Sequence, residues 1–289
     1  MTKDPFYRNH LIRDAINQAI YNAMQQDPSI HLFGEGAMVK VHYDAPQIER
    51  DFADRVHTLP ISEDSNLNFA VGASLVGVKP VVNIITADFM YRAMDSICNT
   101  AAKLNDVRAE GTAPKTIVIQ AEFLMGGPST GQRPEALFAH IPGLNVVLPS
   151  TPSDACGLMG TALITPGVTV FFEDRMIRDD ETWPPQVWGA HVIFGTVRWR
   201  EEGCPTITVI TYGRMRQVVD GLINTGLLLD VAHIDLRTLY PLDRNSISQS
   251  VQQTRRLLIV EPDVKYGGIG AEIAAWIAET HPGIRGSRL

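Results

Sequence analysis

Cysteine is scarce. The 289 residues hold three, Cys98, Cys156 and Cys204, far apart and odd in number. That usage excludes a disulfide framework and a cysteine-based zinc site, and it predicts a reducing cytoplasm. No run of Lys or Arg stands out and the formal net charge is −7. Nucleic acid and an anionic membrane are therefore poor candidates for the main partner. No apolar run reaches the length of a transmembrane span. Met1-Thr2-Lys3-Asp4 leads into a polar amphipathic segment, so no signal peptide is predicted. The eight histidines show no His-x-x-x-His spacing, so no metal site is predicted. Internal repeats and low-complexity tracts are missing as well.

What is present is an ordinary globular balance, 45% hydrophobic and 20% charged, with ample material for a core. Apolar residues at Ile12, Ile16 and Ile20, with Ala15, Ala19 and Ala23, have helical spacing over Leu11 to Met24. Ile30 to Phe33 reads as a short strand that stops at Gly34-Glu35-Gly36. Val81 to Ile85 is apolar but for Asn83 and reads as a strand buried on both faces. Asp88 to Leu104 reads as one helix with Met90, Met94, Ile97 and Ala101 on one side. Strands at 116–119, 145–148 and 168–172 alternate with a helix at 153–163, which predicts a doubly wound α/β sheet. Arg178 to Gly189, with Pro184 and Pro185, reads as a linker. A second, smaller alternation follows: strands at 207–210, 228–234 and 257–260, helices at 215–224, 243–252 and 268–279. The expected domains are 1–185 and 190–289, the second also parallel α/β.

Parallel α/β sheets bind ligands at the carboxyl ends of their strands. The loops that qualify bring Glu35, Glu63, Asp88, Phe89, Glu122 and Gln132 toward one rim. Glu63 follows Leu59-Pro60-Ile61-Ser62 at a strand-to-helix junction, with the small-residue pattern Ala70, Gly72, Ala73, Ser74 and Gly77 behind it. Burial there raises a carboxyl pKa and suits it to proton traffic. Taken by itself the position reads first as a helix cap or a solvated acid. The loop Gly126 to Gln132 has neither the Gly-Lys-Ser/Thr of a P-loop nor a dinucleotide fingerprint, and reads as a loop over a site. Tyr266-Gly267-Gly268-Ile269-Gly270 reads as a tight strand-to-helix turn rather than a phosphate cradle. His140 reads as a structural histidine rather than a ligand.

Several blocks, in order along almost the whole chain, resemble the beta subunit of thiamine diphosphate-dependent 2-oxo acid dehydrogenases of the pyruvate, branched-chain and acetoin type. They include Leu59-Pro60-Ile61-Ser62-Glu63, Lys79-Pro80-Val81-Val82, Ala87-Asp88-Phe89, Ala101-Ala102-Lys103 and Pro134-Glu135-Ala136-Leu137-Phe138. Tyr212-Gly213-Arg214-Met215, Asp235-Leu236-Arg237-Thr238 and Gly267-Gly268-Ile269-Gly270-Ala271-Glu272 continue the match. The resemblance implies a transketolase-like pyrimidine-binding domain followed by a transketolase C-terminal-like domain. It implies thiamine diphosphate shared with an alpha-type partner in a heterotetramer of two alpha and two beta chains, with Mg2+ bound by that partner. Glu63 matches the glutamate that exchanges a proton with the cofactor's aminopyrimidine ring, and Phe89 matches the ring stacked on it. Glu35 matches an acid near the same site. The Gly-Asp-Gly diphosphate and magnesium motif does not occur in the sequence, so the chain is expected to be half of an active site.

Three departures qualify the match. Thr130-Gly131-Gln132 stands where the family has His-Ser-Gln on the substrate side. Thr130 cannot carry a proton near neutral pH, which sets transfer to a lipoyl-bearing acyltransferase against acyl transfer or carboligation to a small acceptor. Thr165 aligns with an acidic ligand of a family cation site, which argues against bound potassium. The chain ends at Leu289 where relatives run on through another strand and helix, so the second domain is expected to be shorter. A non-catalytic scaffolding paralogue is the alternative, and the retained Glu63 and Phe89 argue against it.

Overall fold

The computed structural model describes residues 10–35, 46–107, 115–124, 130–177 and 191–289. The predicted linker, the start of the loop over the site and the first nine residues lie outside them. Helix α1 (His10–Gln26) precedes strand β1 (Ile30–Glu35). Then come α2 (Pro46–Asp51), a single 3-10 turn at Ala53–Arg55, β2 (Val56–Leu59), α3 (Glu63–Leu75) and β3 (Lys79–Ile84). A 3-10 helix (Ala87–Ala93) and a π-helical turn (Ser96–Ala101) lead to β4 (Thr116–Phe123). Helix α4 (Glu135–Ala139), β5 (Leu144–Val147), α5 (Pro152–Ile164) and β6 (Gly167–Asp174) complete the first alternation. The second runs β7 (Arg198–Glu201), β8 (Ile207–Thr211), α6 (Met215–Asn224), β9 (Val231–Asp235) and β10 (Thr238–Tyr240). It ends with α7 (Arg244–Thr254), β11 (Arg256–Val260), α8 (Ile269–Thr280) and β12 (Arg285–Arg288).

Seven strands form one sheet in the order β10-β5-β6-β4-β3-β1-β2, and five form the other in the order β12-β11-β8-β9-β7. Each is parallel except for one antiparallel edge strand, β10 on β5 and β7 on β9. The two-unit division is therefore incomplete at one edge: β10 belongs to the second alternation by sequence and to the first sheet by pairing. The second alternation also carries its own last strand, since β12 pairs with β11 from Arg256↔Arg285 to Ile259↔Arg288.

One apolar core runs through both sheets, from Val82, Ile84, Ile119 and Phe172 in the first to Ile210, Tyr212, Ile234 and Ile259 in the second. The opposite face of the first sheet is covered by α1 and α5 through Ile12, Ile16, Ile20, Leu158 and Met159. Side chains buried on both faces account for the mostly apolar sequences of β3, β4 and β6, into which Asn83, Gln120, Glu122, Thr169, Glu173 and Asp174 bring buried polar groups.

The expected single helix from Asp88 to Leu104 is instead a 3-10 segment, a short α-helical join and a π turn. Ala102 N–H donates to Ile97 O at 2.9 Å, an i to i−5 bond. Buried Ser96 is the cause we identify. Its hydroxyl takes a hydrogen bond from Asn68 Nδ2 (2.6 Å) and donates to the Asp64 carboxylate, pinning this turn to α3. Irregular helical turns of this kind concentrate at functional sites.

Candidate active site

The carboxyl ends of β1, β2 and β3 meet at one edge of the larger sheet. The register pairs Glu35, the last residue of β1, with Leu59, the last of β2. The chain leaving β2 therefore passes Glu35 at once, and Pro60 turns it toward α3. Ser62 N–H donates to Glu35 Oε1 at 3.1 Å. Asn66, one turn into α3, donates from Nδ2 to Glu35 Oε1 (3.1 Å) and to Pro60 O (2.9 Å). Ser62 is the N-cap of α3, and its hydroxyl bonds Ser65 Oγ (2.9 Å) rather than a backbone amide.

Glu63 is the first residue of α3 and is 6% exposed. Glu35 is 2% exposed. Burial, and after it the Glu63 carboxylate, raises the Glu35 pKa, opposed by the Ser62 amide and the Asn66 side chain. Two buried carboxyl groups thus face each other across one turn. Glu35 Oε2 is buried and without a hydrogen-bond partner among the described residues, an acceptor that a ring N–H or amino group of a ligand would satisfy. Arg92, at the end of the 3-10 helix, places Nε 3.4 Å from Glu63 Oε2 while its side chain stays 76% exposed.

Phe89 sits on the same 3-10 helix, half-buried against the main core. Its neighbour Asp88 accepts from Gln132 N–H at 3.1 Å, so the described end of the Thr130–Gln132 loop is tied to the helix that carries Phe89. Thr130 is half-buried and Gln132 exposed.

Glu122 does not reach this rim. It is fully buried, 2.8 Å from Arg13 Nη2 and in contact with Arg175. A carboxylate on a strand buried on both faces needs cationic partners, and α1 supplies Arg13. Burial, and after it the Glu122 carboxylate, pushes adjacent Glu173 up to about 8. His140 is not a packed histidine either: it is exposed at the C-cap of α4. It lines a cleft of about 950 Å³ together with Tyr91, Tyr240, Arg244, Asp263 and Tyr266, a cleft that excludes Glu63. The glycine turn behaves as expected. Gly270 N–H donates to Glu261 Oε2 at 2.8 Å and Gly268 caps α8.

Sequence reasoning missed Asn66, Arg92 and the tether from Asp88. Asn66 and Arg92 each stand three residues beyond a residue already singled out, Glu63 and Phe89, and that helical spacing was the available signal. Among the described residues no group of three or more His, Cys, Asp or Glu is placed to hold a metal ion, and no helix is long and apolar enough to cross a membrane.

Two mostly parallel sheets in this order, with a carboxylate pair at the carboxyl edge of the first, define a transketolase-type protein. The transketolase pyrimidine binding domain matches residues 10–178 and the transketolase C-terminal domain residues 195–287. A split-gene transketolase solved as an inactive beta4 tetramer superposes with a TM-score of 0.79 at 22% identity, covering 96% of this chain and 87% of that one. Within that class the chain belongs to the family of beta subunits of thiamine diphosphate-dependent 2-oxo acid dehydrogenases. It is 35% identical to the pyruvate dehydrogenase E1 component subunit beta of Gracilaria tenuistipitata, over 94% of this chain and 85% of that protein. It is 33% identical to the 2-oxoisovalerate dehydrogenase subunit beta of Bacillus subtilis, over 92% and 83%. It is 32% identical to the acetoin:2,6-dichlorophenolindophenol oxidoreductase subunit beta of Cupriavidus necator, over 93% and 83%.

Proposed function

We propose that the chain supplies the carboxyl-bearing half of a thiamine diphosphate site, in a heteromeric enzyme that decarboxylates a 2-oxo acid and passes on the acyl unit. The observation that carries this is Glu63, buried at the amino end of α3 beside Glu35, whose Oε2 awaits a donor. When bound, the cofactor would supply a carbon nucleophile and an electron sink for decarboxylation of a 2-oxo acid. The work of this chain is to hold the pyrimidine ring and move a proton on it. Glu63 exchanges that proton at a ring nitrogen, Glu35 accepts a second hydrogen bond, and Phe89 stacks on the ring face. Burial of both carboxyl groups keeps water from competing for the same donors.

An alpha-type partner carrying the diphosphate and Mg2+ ligands is part of this reading, as is an arrangement of two alpha and two beta chains. Support comes from the relatives, which are beta subunits, and from the outer face of α3. There Phe69 and Leu75 are more than half exposed, with Ile61 and Val76 beside them, a face suited to burial by another chain. The division at 1–185 and 190–289 and a cytoplasmic location belong to the same proposal. Thr130 favours a second reading, acyl transfer or carboligation to a small acceptor in place of lipoyl transfer, because a hydroxyl cannot relay a proton as His does. Acylation of a free lipoyl domain by the assembled enzyme separates the two.

The test is Glu63→Gln in the assembled complex. The amide keeps the size of the side chain and loses the exchangeable proton. Hydrogen–deuterium exchange at the cofactor's thiazolium carbon should slow roughly a hundredfold to ten-thousandfold, with assembly retained. Exchange at the wild-type rate would make Glu63 structural. Glu63→Asp, which keeps the acid, should retain part of the rate and serves if the amide variant fails to assemble.

A further inference from the structure

The two elements that carry Glu63 and Phe89 hold one cation between them. Helix α3 has Glu63 and Asp64 and no Lys or Arg, and the 3-10 helix has Asp88 and Arg92. The Asp64 carboxylate is turned to Ser96, so Glu35, Glu63 and Asp88 share this edge with one guanidinium among the described residues. A 2-oxo acid is an anion at neutral pH, and this edge would repel it without a compensating charge.

Arg92 is placed to compensate. Its Nε is 3.4 Å from Glu63 Oε2, yet the side chain is 76% exposed. Water screens the exposed Arg92 end of this pair, although Glu63 is 6% exposed, and a screened pair contributes little to stability, so the guanidinium has capacity beyond holding Glu63. A planar guanidinium offers five N–H donors in a fork that fits a carboxylate or another oxyanion bidentately. Contact with Glu63 through Nε leaves the two terminal amino groups for such a partner. On the function proposed above, Glu63 would turn from Arg92 to the cofactor ring, which would leave the guanidinium free for an anion.

We infer that Arg92 is a specificity-determining residue that holds an oxyanion of the reacting 2-oxo acid, either the carboxylate next to the oxo group or a second oxyanion on the side chain. This rests on the function proposed above. It assigns to the beta chain a contact with substrate as well as with cofactor.

The experiment compares wild type, Arg92→Gln and Arg92→Lys in the assembled complex. Pyruvate and 2-oxobutyrate carry one carboxylate, and 2-oxoglutarate and oxaloacetate carry two. In parallel, methyl acetylphosphonate, an anionic mimic of pyruvate, is titrated into the holo-complex by calorimetry. Arg92→Gln should lower kcat/KM about tenfold or more through KM, with kcat little changed, and Arg92→Lys should recover part of the loss. A loss on all four acids, with weaker binding of the phosphonate, identifies the carboxylate next to the oxo group. A loss confined to the two diacids, with phosphonate binding unchanged, identifies a side-chain oxyanion. Unchanged KM for every acid, or a loss in kcat alone, would overturn the inference and leave Arg92 as a partner of Glu63. If the wild-type complex turns over no 2-oxo acid, the proposed function fails, and this inference with it.

Discussion

Glu135 is fully buried, and its Oε1 accepts from Arg133 Nε at 2.9 Å, with Nη2 at 2.8 Å. Arg133 also reaches Asp174 Oδ2 (3.2 Å) and lies over the Phe123 ring at 3.6 Å. Burial outweighs the guanidinium and pushes Glu135 up to about 7 from 4.5. A carboxyl with a raised pKa holds its proton more tightly in the folded chain than in the unfolded one. Its contribution to stability is complete below about pH 4.5 and is lost as pH rises to about 7. Glu135→Gln removes that titration and leaves Arg133 its pair with Asp174. Urea midpoints between pH 4.5 and 7.5 should therefore decline less steeply in the variant than in wild type. An unchanged slope would show that Glu135 is ionised throughout. Nothing in the Pro-Glu-Ala block distinguishes this buried acid from a solvated one, because only the fold buries Glu135 and brings Asp174 of β6 to the other side of Arg133.

At the scale of elements, the turn from β11 into α8 makes a sharp demand on residue type. A Cβ on Gly270 would stand 2.6 Å from Glu261 Oε1 and 2.9 Å from Ile259 Cγ2. Gly270→Ala should destabilise the protein by about 1–3 kcal/mol through overpacking. Gly72 on α3 has nothing within 4 Å of a Cβ, and Gly72→Ala should be neutral or stabilising by up to about 1 kcal/mol. Thermal midpoints of the two variants check the pair, and equal midpoints would contradict the packing described for Gly270. The same reasoning explains which elements were legible beforehand. Strands β3, β4, β6 and β8 are rich in Val, Ile and Phe because both faces are covered, and helices α1, α5 and α6 appear within two residues of their expected ends. Strands β7 (Arg-Trp-Arg-Glu) and β12 (Arg-Gly-Ser-Arg) were not legible. Both are edge strands rich in charge, with Arg198, Glu201 and Arg285 exposed and Arg288 paired to buried Glu261, so they carry no apolar pattern. The division of residues 87–101 was hidden for a different reason. Met90, Met94, Ile97 and Ala101 keep an α-like spacing, while the change of winding is imposed by Ser96 reaching Asp64 and Asn68 on α3. The placement of Glu35 and Glu63 at the sheet's carboxyl edge was legible because each ends or begins an element there. Glu122 occupies a similar place in sequence and was misplaced, since only the packing of α1 shows that Arg13 covers it.

For the whole molecule, the proposed function makes this chain one half of a cofactor site. Its carboxyl pair, aromatic ring and guanidinium gather at one edge of the larger sheet, next to an exposed apolar face of α3. Oxygen ligands for a diphosphate-bound magnesium ion are assigned to the partner, so affinity for the cofactor should belong to the pair of chains. The direct test is calorimetric titration of thiamine diphosphate with Mg2+ into this chain alone, into an alpha-type partner alone, and into the two combined. Weak or undetectable binding to this chain alone, and tight, magnesium-dependent binding to the combined chains, is the expected result. Tight, magnesium-dependent binding to this chain by itself would contradict it.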